Sequence, residues 1–164
     1  HGSAVFVRPT AAAYVLTIEF DEASDHPSAS VRVLFDTNIL IEHLHGVART
    51  TPFFDAVAAG TIDAAVSAVT EYELLRYPEL NEDEEEGIAT LLDHIRVIPV
   101  DRRAAQVAAI IARRHPKLAT ADAFIAATAV AHGLTLCTRN IRDFRRIEEI
   151  TLPTEPPPPR TLSV

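Results

Sequence analysis

Three carboxylates occupy positions where an α/β protein places catalytic groups. Asp36 follows an apolar run at 33–35, Glu73 follows an apolar segment at 62–68, and Asp122 is the one acid in the small, apolar stretch 118–129. Carboxylates that converge on one point repel, so such a site raises their pKa values or takes up a divalent cation. Oxygen ligands favour Mg²⁺ or Mn²⁺ over zinc. A metal held in this way supports hydrolysis of phosphodiester bonds.

Each acid also has a structural explanation. Asp36 is a good helix N-cap, and Glu71 competes with Glu73, because either glutamate can complete a capping box. The helix dipole favours an Asp in a first turn, as at Asp122. Asp122 nevertheless carries the most weight, since a buried charge in an apolar helix needs a partner or a metal.

The segments that must position these acids alternate between strand and helix. Apolar strand patterns lie at 31–35, 62–68, 96–100 and 134–138, with a further short one at 150–152. Helical patterns lie at 39–46, 51–59, 70–75, 82–94, 102–114, 120–132 and 142–148. Strands separated by helices predict a three-layer α/β/α sandwich with a central, mainly parallel sheet. Ligands of such a sheet bind beyond the carboxyl ends of its strands.

The two ends of the chain differ from this body. Residues 1–30 have the character of a leader or a cloning-derived extension, with a half-buried strand pattern at 14–20. The proline run at 156–159 predicts a mobile, polyproline-like tail over 153–164. The expected single domain therefore spans residues 31–152.

Composition and charge exclude several classes of protein. The single cysteine, Cys137, excludes an intrachain disulfide framework and a multi-cysteine zinc site. No apolar run approaches the roughly 18 residues of a membrane helix, and no signal peptide precedes the body. The net charge of −8 argues against a nucleic-acid partner if taken alone. However, residues 79–86 hold six acids, whereas residues 101–150 hold nine basic and five acidic side chains.

Four segments together resemble PIN-domain proteins, most closely the VapC-type toxins of bacterial type II toxin–antitoxin pairs. They are VLFDTNIL at 33–40, VSAVTEYEL at 66–74, ADAFIAATA at 121–129 and LTLCTRNIRDF at 134–144. The resemblance implies an endoribonuclease that hydrolyses RNA phosphodiester bonds with carboxylate-held Mg²⁺ or Mn²⁺. It also implies a cytoplasmic homodimer that a VapB-type antitoxin holds inactive.

The resemblance assigns roles residue by residue. Asp36, Glu73 and Asp122 match the family's three acidic positions, as catalytic residues and metal ligands. Many relatives have an Asp at the fourth position, where this chain has Asn140. Either Asp143 supplies the missing charge, directly or through water, or Asn140 serves the site by orienting a ligand water or the substrate phosphate. Supporting contacts to the site or the substrate are expected from Thr37, Asn38, Thr138, Arg139 and Arg142.

Two other functions compete with this interpretation. A haloacid-dehalogenase-like phosphatase also places an Asp after its first strand, but it needs a second Asp where this chain has Asn38. The stronger alternative is a catalytically weakened PIN-like domain that binds RNA or protein, because the fourth acid is absent.

Overall fold

A computed structural model describes residues 14–16, 31–148 and 150. The proline-rich tail, most of the leader and, apart from Ile150, the short strand expected at 150–152 lie outside the described residues. Among the described residues, no helix is long and apolar enough to span a membrane.

Five strands form one sheet in the described part of the chain. They are β1 (Tyr14–Leu16), β2 (Val31–Phe35), β3 (Ile62–Ser67), β4 (Arg96–Ile98) and β5 (Thr135–Thr138). The spatial order is β1-β5-β2-β3-β4. Strands β2 to β5 are mutually parallel, whereas β1 pairs antiparallel with the outer edge of β5. This confirms the mainly parallel sheet.

In the described part of the chain, six helices lie between the parallel strands and a seventh follows β5. They are α1 (Thr37–Leu44), α2 (Thr51–Ala58), α3 (Ala68–Leu75), α4 (Glu82–Asp93), α5 (Arg102–Arg114), α6 (Thr120–His132) and α7 (Ile141–Phe144), with a 3₁₀ turn at Ala48–Thr50. Side-chain caps begin several of them: Asp36 on α1, Ser67 on α3, Asn81 on α4 and Asp101 on α5. Each cap satisfies a backbone N–H that has no partner within its helix.

Two elements are shorter, by more than one residue, than the sequence pattern predicts. The strand expected at 96–100 ends at Ile98, because Pro99 has no N–H to extend the ladder. The helix expected at 142–148 ends at Phe144 and continues as a turn. Phe144, the last residue of the helix, and Ile147, in the segment that follows it, are both buried. Their spacing of three residues therefore reflects burial of a turn against the core and not a longer helix.

Strand alternation sends successive side chains to the two faces of the sheet. Leu34 packs with residues of α5 and α6 on one face, whereas Val33 and Phe35 pack with α1 and α4 on the other. The two clusters make the sandwich three-layered. The alanines of α6 at 123, 126, 127, 129 and 131 are all buried within the single chain, so they serve the core. Because β5, β2 and β3 are neighbours, the residues that follow their carboxyl ends lie together at one edge.

Candidate active site

Asp36 is the most buried acid of the site, at 3% exposure. It directly follows β2, and its backbone N–H donates to the Cys137 carbonyl of the neighbouring β5 at 2.9 Å. Its Oδ1 accepts from the Thr37 N–H at 2.8 Å. Its Oδ2 accepts from Thr138 Oγ1 at 2.6 Å and from Asn38 Nδ2 at 2.9 Å. Asp36 therefore is the N-cap of α1, as expected of an Asp at this position. The same carboxylate is held in place by three hydrogen-bond donors.

Glu73 reaches the same place from α3. The Thr37 hydroxyl donates to Glu73 Oε2 at 2.5 Å and lies 3.4 Å from the hydroxyl of Thr70. Thr37 therefore bridges the two acids: its N–H donates to Asp36, the N-cap of α1, and its hydroxyl donates to Glu73 of α3. Glu73, rather than its competitor Glu71, has this contact.

Asp122 approaches from the first turn of α6. Asn140 Nδ2 donates to Asp122 Oδ2 at 3.3 Å, and the Asn140 N–H donates to Thr138 Oγ1 at 2.9 Å. Thr138 in turn donates to Asp36. A chain of hydrogen bonds therefore connects Asp122, Asn140, Thr138 and Asp36 across the edge of the sheet.

The pKa values record the mutual repulsion of these acids. Burial first, and then the negative charges of Asp36, Glu73 and Asp143, together raise the pKa of Asp122 to about 6, against a lowering by the Asn140 hydrogen bond. The pKa of Asp36 is also raised, first by burial and then by Glu73, although its three donors oppose this. Asp36, Glu73 and Asp143 thus all act on Asp122 at this edge of the sheet.

The carboxylate oxygens of these acids are the type of ligand that a hard divalent cation such as Mg²⁺ prefers. In residues 31–148, no three His, Cys, Asp or Glu side chains are arranged to hold one ion by themselves. Mg²⁺ commonly keeps several waters and takes only one or two protein carboxylates, together with substrate phosphates. The donor set fits such a partly hydrated ion, because the excess negative charge around Asp122 would favour its binding.

The supporting residues divide into two groups. Thr37, Asn38 and Thr138 contact the acids directly, as described above. Arg139 instead directs its guanidinium to Glu42, with Nε 3.1 Å from Oε1, while its N–H donates to Asn38 Oδ1 at 3.1 Å. Arg142 is exposed on α7.

Sequence reasoning missed Glu42 and Thr70. Glu42 pairs with Arg139 and also with Arg49, and these ion pairs lower the Glu42 pKa. The Thr70 hydroxyl lies next to the Thr37 hydroxyl that donates to Glu73. Nothing in local spacing marks either residue, because their partners lie on other elements.

Comparison with known proteins agrees with this fold. The profile of the PIN domain matches residues 33–150. The chain belongs to the PIN-domain family. Ribonuclease VapC10 of Mycobacterium tuberculosis (strain ATCC 25618 / H37Rv) is 32% identical over 126 residues, which cover 74% of this chain and 92% of that protein. Ribonucleases of this PIN-domain type are generally metal-dependent.

Solved structures extend the comparison. A toxin–antitoxin complex from Klebsiella pneumoniae contains a chain with a TM-score of 0.60 and 31% identity, over 71% of this chain and 93% of that one. VapBC2 from Rickettsia felis, bound to a promoter DNA fragment, gives a TM-score of 0.63 at 19% identity, over 73% and 95% of the two chains. The second likeness concerns the fold alone.

Proposed function

We propose that this protein is a metal-dependent endoribonuclease, the toxin of a toxin–antitoxin pair. The observation that carries the proposal is the group of acids around Asp122, whose pKa is raised to about 6 by burial and by Asp36, Glu73 and Asp143. This group lies beyond the carboxyl ends of parallel strands, where α/β proteins bind ligands. The 32% identity to Ribonuclease VapC10 supports the same chemistry.

Asp36, Glu73 and Asp122 would hold a partly hydrated cation between them, directly or through its waters, and Mg²⁺ or Mn²⁺ fits their oxygen-only chemistry. When bound, the cation activates water for hydrolysis and neutralises charge on the phosphodiester. The chain's own part is to hold Asp36 rigid through Thr138 and Asn38. Asn140 orients Asp122, and Asp143 adds negative charge beside it.

The partners follow from this role. The complex from Klebsiella pneumoniae pairs toxin with antitoxin, and it supports a VapB-type antitoxin as the inhibitor of this chain. We assign RNA as the substrate, a homodimer as the working form and the cytoplasm as its place, where both RNA and antitoxin are available.

The direct test is cleavage of total bacterial RNA with and without Mg²⁺ or Mn²⁺. Wild type should cleave only with metal, and Asp36→Ala and Asp122→Ala should each lose about a hundredfold or more of the rate, because metal-assisted charge stabilisation is worth several kcal/mol. Asp93→Ala is the matched control, since Asp93 is an exposed acid at the end of α4. Cleavage in EDTA, or full activity of either site variant, would overturn the proposal.

A second candidate is a weakened PIN domain that binds RNA or protein without cleaving. Asn140 at the fourth acidic position favours it, because an amide brings no negative charge to a cation. RNA binding without cleavage at any concentration of Mg²⁺ or Mn²⁺ would identify this alternative.

A further inference from the structure

A basic cavity opens between the end of α5 and the turn that follows α7. Its volume is about 250 Å³, and its walls include Arg114, Lys117 and Arg146 together with His115 and Asp143. Lys117 and Arg146 alone outnumber the single carboxylate, and Arg114, which has an interaction of its own, adds to the positive charge. This excess suits an anion rather than a metal or an apolar ligand.

The cavity adjoins the acidic site. Asp143 lines the cavity, and its negative charge also raises the pKa of Asp122. Lys117 lies in the loop that leads into α6, and the first turn of that helix carries Asp122. An anion in the cavity would therefore be a close neighbour of a group bound at the acids.

Helix electrostatics alone do not explain this cluster. Basic residues in the last turn of a helix are stabilised by its dipole, which accounts for Arg113 and Arg114 at the end of α5. Lys117 lies beyond that helix, and Arg146 belongs to a separate segment after α7. Side chains from two distant segments thus converge on one small space.

The size and the charge together indicate the ligand class. The cavity lies below the roughly 300–1,000 Å³ of pockets that enclose whole drug-sized ligands. It suits a compact anion on a larger molecule, and Lys and Arg are the usual partners of nucleic-acid phosphates. Arg139, expected from sequence to hold the substrate, is instead engaged by Glu42.

We propose that the cavity formed by Arg114, Lys117 and Arg146 binds a backbone phosphate of the RNA strand beside the bond to be cut. This inference rests on the proposed ribonuclease function, and it assigns the substrate strand a direction of approach over the loop between α5 and α6. The phosphate contact positions the strand without reading its sequence.

The test measures binding of a fluorescein-labelled polyuridine oligonucleotide in EDTA by full-length protein, so that cleavage plays no part. The cavity variant is Lys117→Gln with Arg146→Gln. The control is Arg103→Gln with Arg113→Gln, which removes the same charge from exposed positions of α5 outside the cavity. A second variant, Lys117→Arg with Arg146→Lys, keeps the charge.

The cavity variant should bind on the order of fivefold more weakly for each lost contact at about 0.1 M salt, and the slope of log K against log salt should fall by about 0.7 per contact. The charge-conserving variant should bind as wild type does. Equal weakening in cavity and control variants, or wild-type affinity in the cavity variant, would overturn the inference. Metal-dependent cleavage by wild type in a parallel assay shows whether the proposed function still stands in that case.

Discussion

Asp122 holds its proton more tightly in the folded protein than in the unfolded chain. Its pKa is about 6 in the fold, against about 3.9 for an unperturbed Asp. Between about pH 4 and pH 6 the folded state therefore binds more protons, so stability falls as the pH rises through this window and stays lower above it. This loss of stability results from burying Asp122 and from placing it near the other acids of the site.

Replacement of Asp122 by Asn should remove that penalty. We expect Asp122→Asn to raise the free energy of unfolding by on the order of 1 kcal/mol at about pH 8, a figure reduced for the partial exposure of Asp122. Near pH 4 the folded carboxyl is protonated and the unfolded one is about half protonated, so most of the difference in stability between the two proteins should be gone. Urea denaturation at the two pH values measures this difference. A gain that is the same at both pH values would contradict an electrostatic origin.

The amide at position 140 sets the charge of the site. Asn140→Asp should replace a donor to Asp122 with another carboxylate, which raises the Asp122 pKa further and increases the attraction for a cation. The Mg²⁺ or Mn²⁺ concentration that gives half-maximal RNA cleavage should therefore fall, by roughly tenfold for each 1.4 kcal/mol of added attraction.

Asn140→Ala separates charge from hydrogen bonding in this experiment, because it removes the donor without adding an acid. It should leave the half-maximal metal concentration unchanged or raised. If Asn140→Asp behaves in the same way as Asn140→Ala, the missing fourth acid has no part in metal affinity.

The acids of the site could be found from sequence because each follows a local signal. Asp36 comes after a buried strand, and Asp122 interrupts an apolar helix. Glu73 also follows a buried strand, but spacing alone left Glu71 open, and the resemblance to PIN-domain proteins chose between the two. The partner of Arg139 could not be found, because Glu42 lies on α1, remote in sequence and without a periodic pattern that links the two. Long-range pairs of this kind depend on the packing of α1 against β5, which local spacing does not specify.

The bounds of strands and helices could be predicted where the spacing of the buried residues matches the repeat of the strand or helix. β2, α5 and α6 have the bounds that apolar spacing and capping predict. α7 does not, because Phe144 and Ile147 are buried at a helical spacing although the chain is already a turn at Arg145 and Arg146. Tertiary contact, rather than helix propensity, determines burial in this segment.

Two glycines in helical segments should respond oppositely to alanine. Gly133 ends α6 in the left-handed region at φ 56° and ψ 50°, where a Cβ costs about 1–2 kcal/mol. Gly87 lies within α4, and an added Cβ there would meet only Leu44 Cδ2, at 4.0 Å. Gly133→Ala should therefore destabilise the protein, and Gly87→Ala should stabilise it by roughly 0.5–1 kcal/mol.

Thermal unfolding of the two variants beside wild type checks this pair, since both substitutions add one methyl group. Shifts of the same sign would contradict the assignment of backbone conformation as the cause.

The charge of the whole molecule is less informative than its distribution. The net charge of −8 includes the acids that would hold a cation, and the exposed acidic run at the start of α4 adds several more. The basic cavity beside Asp143 provides a local positive field despite that total. Within a Debye length of about 8–10 Å, an approaching phosphate responds to the cavity more than to the remote acids of α4.

The position of the hydrophobic core indicates that residues 31–152 form the folding unit. Both clusters of buried residues lie between Val33 and Ile150, whereas Tyr14–Leu16 contributes a strand at the outer edge of β5. A protein of residues 31–152 should therefore unfold cooperatively, because it keeps both faces of the sheet covered. Its loss of β1 exposes the N–H and C=O groups of that edge, which favours pairing with another chain.

We therefore expect the shortened protein to melt in one transition within several degrees of the full chain, and to associate more strongly as its concentration rises. Circular dichroism and sedimentation velocity over a range of concentrations measure the two effects. A shortened protein without cooperative unfolding would show that the first thirty residues belong to the domain. Unchanged association would show that β1 does not protect the edge of β5, so the four parallel strands would then be sufficient for both stability and solubility.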